Sequence, residues 1–102
     1  MQLFILDDDK RPVPTDNLHE WATYLEQHGS TVAFDIVDGV RVSTAFLGNL
    51  TDREAAAVPL MMFETMILDG PHYGDAVRYE TWEEAKSGHE EVIRLLSAAA
   101  AA

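Results

Sequence analysis

The stretch from Thr81 to Leu96 can be stable as a helix only if an apolar surface covers one of its sides. Thr81 and Glu84 have the spacing of a capping box, which favours the start of a helix at this point. Apolar side chains then recur at intervals of three and four residues, and most of the charged ones fall on the other side. This apolar stripe consists of Trp82, Ala85, His89, Val92, Ile93 and Leu96. The rest of the chain must therefore supply a matching apolar face.

Residues 31–47 alternate in the manner of an antiparallel hairpin, with its turn at Asp38-Gly39. A two-residue turn would pair Ile36 with Arg41, whereas a three-residue loop would pair Ile36 with Val40. Only the longer loop keeps the apolar side chains on one face of the hairpin. The alternation therefore predicts a three-residue loop, with Gly39 in a bulge.

The remaining segments predict further strands and helices. Strands are expected at 3–6, within 60–68 and at 77–80, and helices at 18–28 and after Thr51. Pro12 and Pro14 keep the segment between the first strand and the first helix extended. This order predicts an α+β fold with a mostly antiparallel sheet of four or five strands and two amphipathic helices on one face. The 102 residues fit a single domain at 1–97, followed by a low-complexity alanine tail at 98–102.

The charge of the chain excludes several classes of function. It has 7 Lys and Arg residues against 18 Asp and Glu residues, which gives a net charge of −11, and it has no cysteine. Because phosphates are bound by Lys and Arg, we expect no direct binding to nucleic acid or to an anionic membrane. Without cysteine there is no disulfide, thiolate or cysteine-based zinc chemistry. A basic protein surface is the partner that this charge favours.

Aspartates and histidines offer only weak catalytic or metal-binding candidates. Asp7, Asp8 and Asp9 follow the first strand, but successive side chains point in alternating directions, so a solvated turn is the favoured interpretation. His72 lies in a loop without a nucleophile at a recognisable spacing. His89 lies on the apolar stripe and is predicted to be buried with a backbone or carboxylate partner. We therefore expect no enzymatic activity, no cofactor and no bound metal.

The strongest candidate binding surface is acidic and lies on the last helix. Its members, which we call the acidic ridge, are Glu80, Glu83, Glu84, Glu90 and Glu91. Two pairs of them are two helical turns apart, which corresponds to a length of roughly 10–12 Å. Phosphates along one nucleic-acid strand have similar spacings over two nucleotides, so the ridge has the geometry to mimic nucleic acid. On charge alone, a solvated face that keeps the protein soluble is the favoured interpretation.

Three motifs resemble those of a family of small proteins encoded by bacteriophages and prophages. They are VSTAFLG at 42–48, FETM at 63–66, and YETWEEA at 79–85 followed by Gly88-His89. After Gly48 the family continues with Leu-Asp-His, whereas this chain continues with Asn49-Leu50-Thr51-Asp52. Any role of that Asp-His pair is therefore not carried over. The resemblance implies a phage origin and no particular reaction.

A phage origin favours a protein that is directed at the host. Many nucleic-acid-binding and defence complexes, CRISPR effectors among them, have basic channels. The expectation is an anti-CRISPR-like inhibitor that binds such a complex in the host cytoplasm. A non-inhibitory phage accessory or structural protein is the second interpretation, and a small hydrolase or metal-dependent enzyme is the third. The sequence carries no prediction of the oligomeric state.

Overall fold

A computed structural model describes residues 1–102 and confirms the α+β class. The seven strands and three helices follow one another in the order β1 Gln2–Leu6, β2 Pro12–Thr15, α1 Leu18–His28, β3 Thr31–Val37, β4 Val40–Phe46, β5 Asn49–Leu50, α2 Asp52–Ala55, β6 Phe63–Ile67, β7 Ala76–Tyr79 and α3 Trp82–Ala101. The alanine tail therefore continues α3 as far as Ala101. None of the helices combines the length and apolar character that crossing a membrane requires.

The strands form two antiparallel sheets, so the prediction of one sheet of four or five strands is wrong. The smaller sheet has the order β2-β1-β5 and the larger one β3-β4-β6-β7. Gly48, with φ of +72°, turns the chain out of the larger sheet after β4. Its carbonyl oxygen accepts hydrogen bonds from the Phe4 N–H at 2.8 Å and from the Trp21 Nε1–H at 2.9 Å. The hydrogen bonds to Gly48 thus hold the smaller sheet and α1 beside the larger sheet.

The two long helices pack on different sheets, so the prediction that both lie on one face is also wrong. α1 packs against β1 and β2, and α3 packs across all four strands of the larger sheet. α1 has no fully buried residue, whereas α3 buries Ala85 and His89. The strands of the smaller sheet thus provide the apolar surface that the first helix needs.

One hydrophobic core lies where the two sheets meet the start of α3. Its buried members are Phe4, Leu6, Phe46, Leu50, Met62, Phe63 and Ala85. The rings of Phe46 and Phe63 are 5.7 Å apart, and Trp82 meets Phe63 edge-on at 6.2 Å. These contacts fix the first turn of α3 on the molecule.

The β3–β4 hairpin has a two-residue turn, so the predicted three-residue loop is wrong. Val37 pairs with Val40 and Ile36 with Arg41, which places Ile36 and Val40 on opposite faces of the sheet. Asp38 and Gly39 have φ of +49° and +81°, as a type I′ turn requires. The covered face of β3 carries Asp35, which is bonded to His89 of α3. The two-residue turn fixes this register, which places the polar Asp35, instead of Ile36, on the face that α3 covers.

Gly88 allows α3 to approach β7 closely. A methyl group at this position would overlap the Tyr79 ring. We expect Gly88→Ala to lower the free energy of unfolding by about 1–3 kcal/mol, because the ring would have to move. In an open helix the same change stabilises by about 1 kcal/mol. Urea unfolding in a Tyr79→Ala background gives the control, and destabilisation of the same size there would show that the ring is not the obstacle.

Candidate functional site

Four members of the acidic ridge lie on the solvent side of α3. Glu83, Glu84, Glu90 and Glu91 are all exposed, whereas Ala85, on the opposite side of the helix, is fully buried. Helical spacing arranges the glutamates in two columns, with Glu83 above Glu90 and Glu84 above Glu91. The structure thus brings these four carboxylates together on one helix surface.

Arg94 reduces the charge at one end of the ridge. Its guanidinium donates two hydrogen bonds to the Glu91 carboxylate, at 2.9 and 2.6 Å. These bonds lower the pKa of Glu91 and keep it ionised. Glu83, Glu84 and Glu90 form no ion pair, although the exposed Lys86 lies one helical turn from Glu83 and from Glu90 and offsets part of their charge.

Glu80 precedes α3 and lies, together with Glu83, beside a groove that the sequence did not predict. The groove has a volume of about 560 Å³ and runs between the β1–β2 turn and the start of α3. Its lining residues are Asp9, Lys10, Arg11, Pro12, Glu80, Thr81, Trp82 and Glu83. The Lys10 ammonium lies 5.2 Å from the centre of the Trp82 ring. Two cations therefore border the ridge at this end, and the exposed Lys86 lies one helical turn from both Glu83 and Glu90, so the ridge is acidic on balance but not purely acidic.

The sequence could not indicate this groove, because its two walls come from distant parts of the chain. Lys10 follows the first strand and Trp82 begins the last helix. No local sequence motif predicts that a lysine in the β1–β2 turn lies beside a tryptophan at the start of α3. Only the packing of the small sheet against the start of α3 brings them together.

The three aspartates after β1 form an ordered turn. The Asp7 carboxylate accepts hydrogen bonds from the N–H groups of Asp9 and Arg11, both at 2.9 Å. Asp8 and Asp9 are exposed. No group of three or more histidine, aspartate or glutamate side chains is arranged to hold a metal ion.

A chain of polar side chains, buried except at its Asp35 end, connects α3 with three strands of the large sheet. His89 Nε2 lies 2.8 Å from Asp35 Oδ2, and His89 Nδ1 lies 2.7 Å from Thr44 Oγ1. The Thr44 hydroxyl is in turn hydrogen-bonded to the Thr65 hydroxyl. The prediction that His89 is buried with a carboxylate partner is confirmed.

In this set of side chains, Asp35, His89 and Thr44 follow one another as an acid, an imidazole and a hydroxyl, as in hydrolytic triads. Thr44 has an exposed fraction of 0%, and Thr65 one of 1%. A nucleophile must reach its substrate, and this hydroxyl is enclosed between the sheet and α3. The arrangement therefore stabilises the packing of the helix on the sheet.

Two surface carboxylates titrate at unusually low pH. The Thr51 N–H and the Arg78 guanidinium together lower the pKa of Glu54 to about 2. The Arg41 guanidinium, which lies 2.8 Å from Asp69, lowers the pKa of Asp69 to about 2 as well. Because these folded-state values lie below those of the unfolded chain, the stability that the groups contribute is present at neutral pH. It is lost as the pH falls from about 4.5 to about 2.

Removing the arginine that pairs with Glu54 should flatten the acid limb of the stability curve. We expect Arg78→Gln to weaken the dependence of the unfolding free energy on pH between about 4.5 and about 2. The effect should be modest, because Glu54 is a surface group and keeps the hydrogen bond from the Thr51 N–H. Arg53→Gln removes the same charge from α2, and Arg53 forms no ion pair. Equal flattening in both variants, measured by urea unfolding across this range, would contradict the assignment.

Comparison with protein-family models, with curated proteins and with solved structures found no match for this chain. The resemblance to small phage proteins therefore stays a prediction, and the functional argument depends on the geometry and charge of the chain itself.

Proposed function

We propose that the protein binds a basic surface of a host nucleic-acid-binding or defence complex through the acidic ridge, and thereby blocks the binding of nucleic acid. A CRISPR effector is the first candidate, because its heteroduplex lies in a positively charged channel. The proposed setting is the host cytoplasm and the proposed origin is a phage. The resemblance of the three motifs supports that origin.

The observation that carries this proposal is the fixed orientation of α3. The Thr81 hydroxyl accepts a hydrogen bond from the Glu84 N–H at 3.0 Å and so begins the helix at a defined residue. Ala85 and His89 are buried against the sheet, which prevents the helix from rotating. The two columns of glutamates therefore project from the solvent side of α3 at the spacing of helical turns, which is the arrangement that a mimic of a phosphate backbone needs.

The charge of the whole chain supports the same function. A protein with a net charge of −11 is attracted to a basic groove before contact, which raises the rate of association. Each exposed ion pair then contributes little, about 0–1 kcal/mol. Binding is expected to depend on several glutamates that act together, with Glu83, Glu84 and Glu90 as the free charges.

The test is a pull-down from host lysate at low and at physiological salt, with mass spectrometry of the captured proteins. We expect a nucleic-acid-binding protein to be captured at low salt, to be released as the salt rises, and to be displaced by added DNA or RNA. A partner that binds nucleic acid and this protein at the same time would contradict the proposed mechanism.

A non-inhibitory phage accessory or structural protein is the second candidate, and one observation favours it. In the loop that precedes β6, Val58 has an exposed fraction of 94% and Met61 one of 40%. They belong to the apolar segment 58–62, and contiguous exposed apolar surface is typical of interaction sites. Capture of a partner that is unchanged at high salt and lost in Val58→Asp would support this function over the first.

A further inference from the structure

β3 is an edge strand, and its outer edge is free. Its only strand neighbour is β4, and α3 covers one of its faces. Beside a two-residue turn, Val37 and Val40 form a hydrogen-bonded pair, so the main-chain groups of Phe34 and Ile36 point away from β4. The side chains of these two residues have exposed fractions of 49% and 62%. Unpaired main-chain groups next to exposed apolar side chains can accept a further strand.

We propose that two copies of this chain pair antiparallel through β3 and form a continuous sheet across the dimer. The regular part of β3 is limited by a bulge between Thr31 and Ala33 at one end and by the turn at the other. Its centre is Asp35. A two-fold axis at Asp35 places Phe34 of each copy opposite Ile36 of the other, with about four main-chain hydrogen bonds between the copies.

The chemistry of this edge fits a second copy better than a charged partner. Asp35 is the only charged residue in β3, and its carboxylate is already bonded to His89. On the open face, Ile36 lies opposite Arg41 of β4 and Phe34 lies opposite Ser43, and the Arg41 guanidinium is already bonded to Asp69. A basic strand would find no free carboxylate there. An uncharged apolar strand with the same pattern fits, and β3 itself is such a strand.

One contact opposes the pairing and so makes it testable. Asp35 of each copy lies opposite Asp35 of the other, and like charges directly opposite each other destabilise a strand pair. The paired segment is also shorter than a standard interface. We expect a reversible dimer with a dissociation constant of about 10–100 µM. The paired residues of the dimer lie outside the acidic ridge. Failure of the dimer in its test would therefore leave the proposed function unaffected, and the reverse also holds.

Sedimentation equilibrium over about 1–500 µM measures the dimer directly. We expect Asp35→Asn to tighten it roughly two- to fivefold, because the amide oxygen still accepts from His89 while the repulsion disappears. Asp16→Asn removes an equal charge far from β3 and should change nothing. Phe34→Lys should abolish the dimer, whereas Leu95→Lys, at a similarly exposed position of α3, should not.

Cysteine cross-linking tests the register, and the absence of native cysteines leaves no background. Opposite residues of a hydrogen-bonded pair have Cα atoms about 5.5 Å apart, within the range of a disulfide. We expect a mixture of the Phe34→Cys and Ile36→Cys variants to cross-link on mild oxidation, and each variant alone to do so much more slowly. A chain that stays monomeric at all concentrations, or a Phe34→Cys variant that cross-links alone as fast as the mixture, would overturn the proposal.

Discussion

Replacing Glu83, Glu84, Glu90 and Glu91 together by lysine is expected to weaken binding to a basic partner by about 10²–10³-fold. All four side chains are exposed, so the change reverses the charge of the ridge without touching the core. Each single replacement should cost about fivefold or less, because an exposed ion pair contributes about 0–1 kcal/mol. The affinity is measured against the partner captured at low salt, by calorimetry or surface binding at two salt concentrations.

A matched variant separates the ridge from the net charge. Replacing Asp8, Asp16, Glu20 and Glu26 by lysine changes the net charge by the same amount, on exposed residues outside α3. Like the ridge variant, it places lysine in the first turn of a helix, where the helix dipole disfavours it. We expect this control to lose much less affinity. Equal losses in the two variants would mean that the total charge, and no particular surface, attracts the partner.

The local features of the fold could be predicted from the sequence because they depend on neighbouring residues. Asn17, Thr51 and Thr81 begin the three helices at the predicted positions, each by accepting a hydrogen bond from an N–H three residues later. Gly29 ends α1, with φ of +67°. The stripe on α3 also identified which glutamates would be exposed. These predictions needed no knowledge of the distant parts of the chain.

The arrangement of the sheets could not be predicted in the same way. In the observed register of the hairpin, Asp35 faces α3 and is bonded to His89, which is 54 residues away in the sequence. An alternation of apolar residues contains no information about such a distant partner. Here it predicted that Ile36 lies on the covered face of β3, whereas Asp35 does. The division into two sheets depends on the carbonyl of Gly48, which holds β1 and α1. The free negative charge of the ridge was likewise overestimated from the sequence. The bond between Arg94 and Glu91 and the position of Lys10 beside Trp82 could not be predicted from it.

The buried chain through His89 should control the stability of the whole protein. His89 has an exposed fraction of 2%, and one direction of donation satisfies every member of the chain. The Thr65 hydroxyl donates to Thr44, the Thr44 hydroxyl donates to His89 Nδ1, and His89 Nε2–H donates to Asp35. We expect His89→Ala to lower the free energy of unfolding by about 3–5 kcal/mol, because it leaves a cavity and a buried hydroxyl without an acceptor.

The same reasoning predicts that replacing three members of this hydrogen-bonded set by apolar residues costs less free energy of unfolding than removing His89 alone. In the triple variant His89→Leu, Thr44→Val and Thr65→Val, no buried hydroxyl is left unpaired and the volume is largely kept. Because apolar groups of similar shape can replace a buried hydrogen-bonded set at little cost, this variant should recover at least about half of the loss. Urea unfolding of the three proteins measures both steps. If the triple variant is less stable than His89→Ala, the polar chain contributes through its hydrogen bonds, and the asymmetry argued here is wrong.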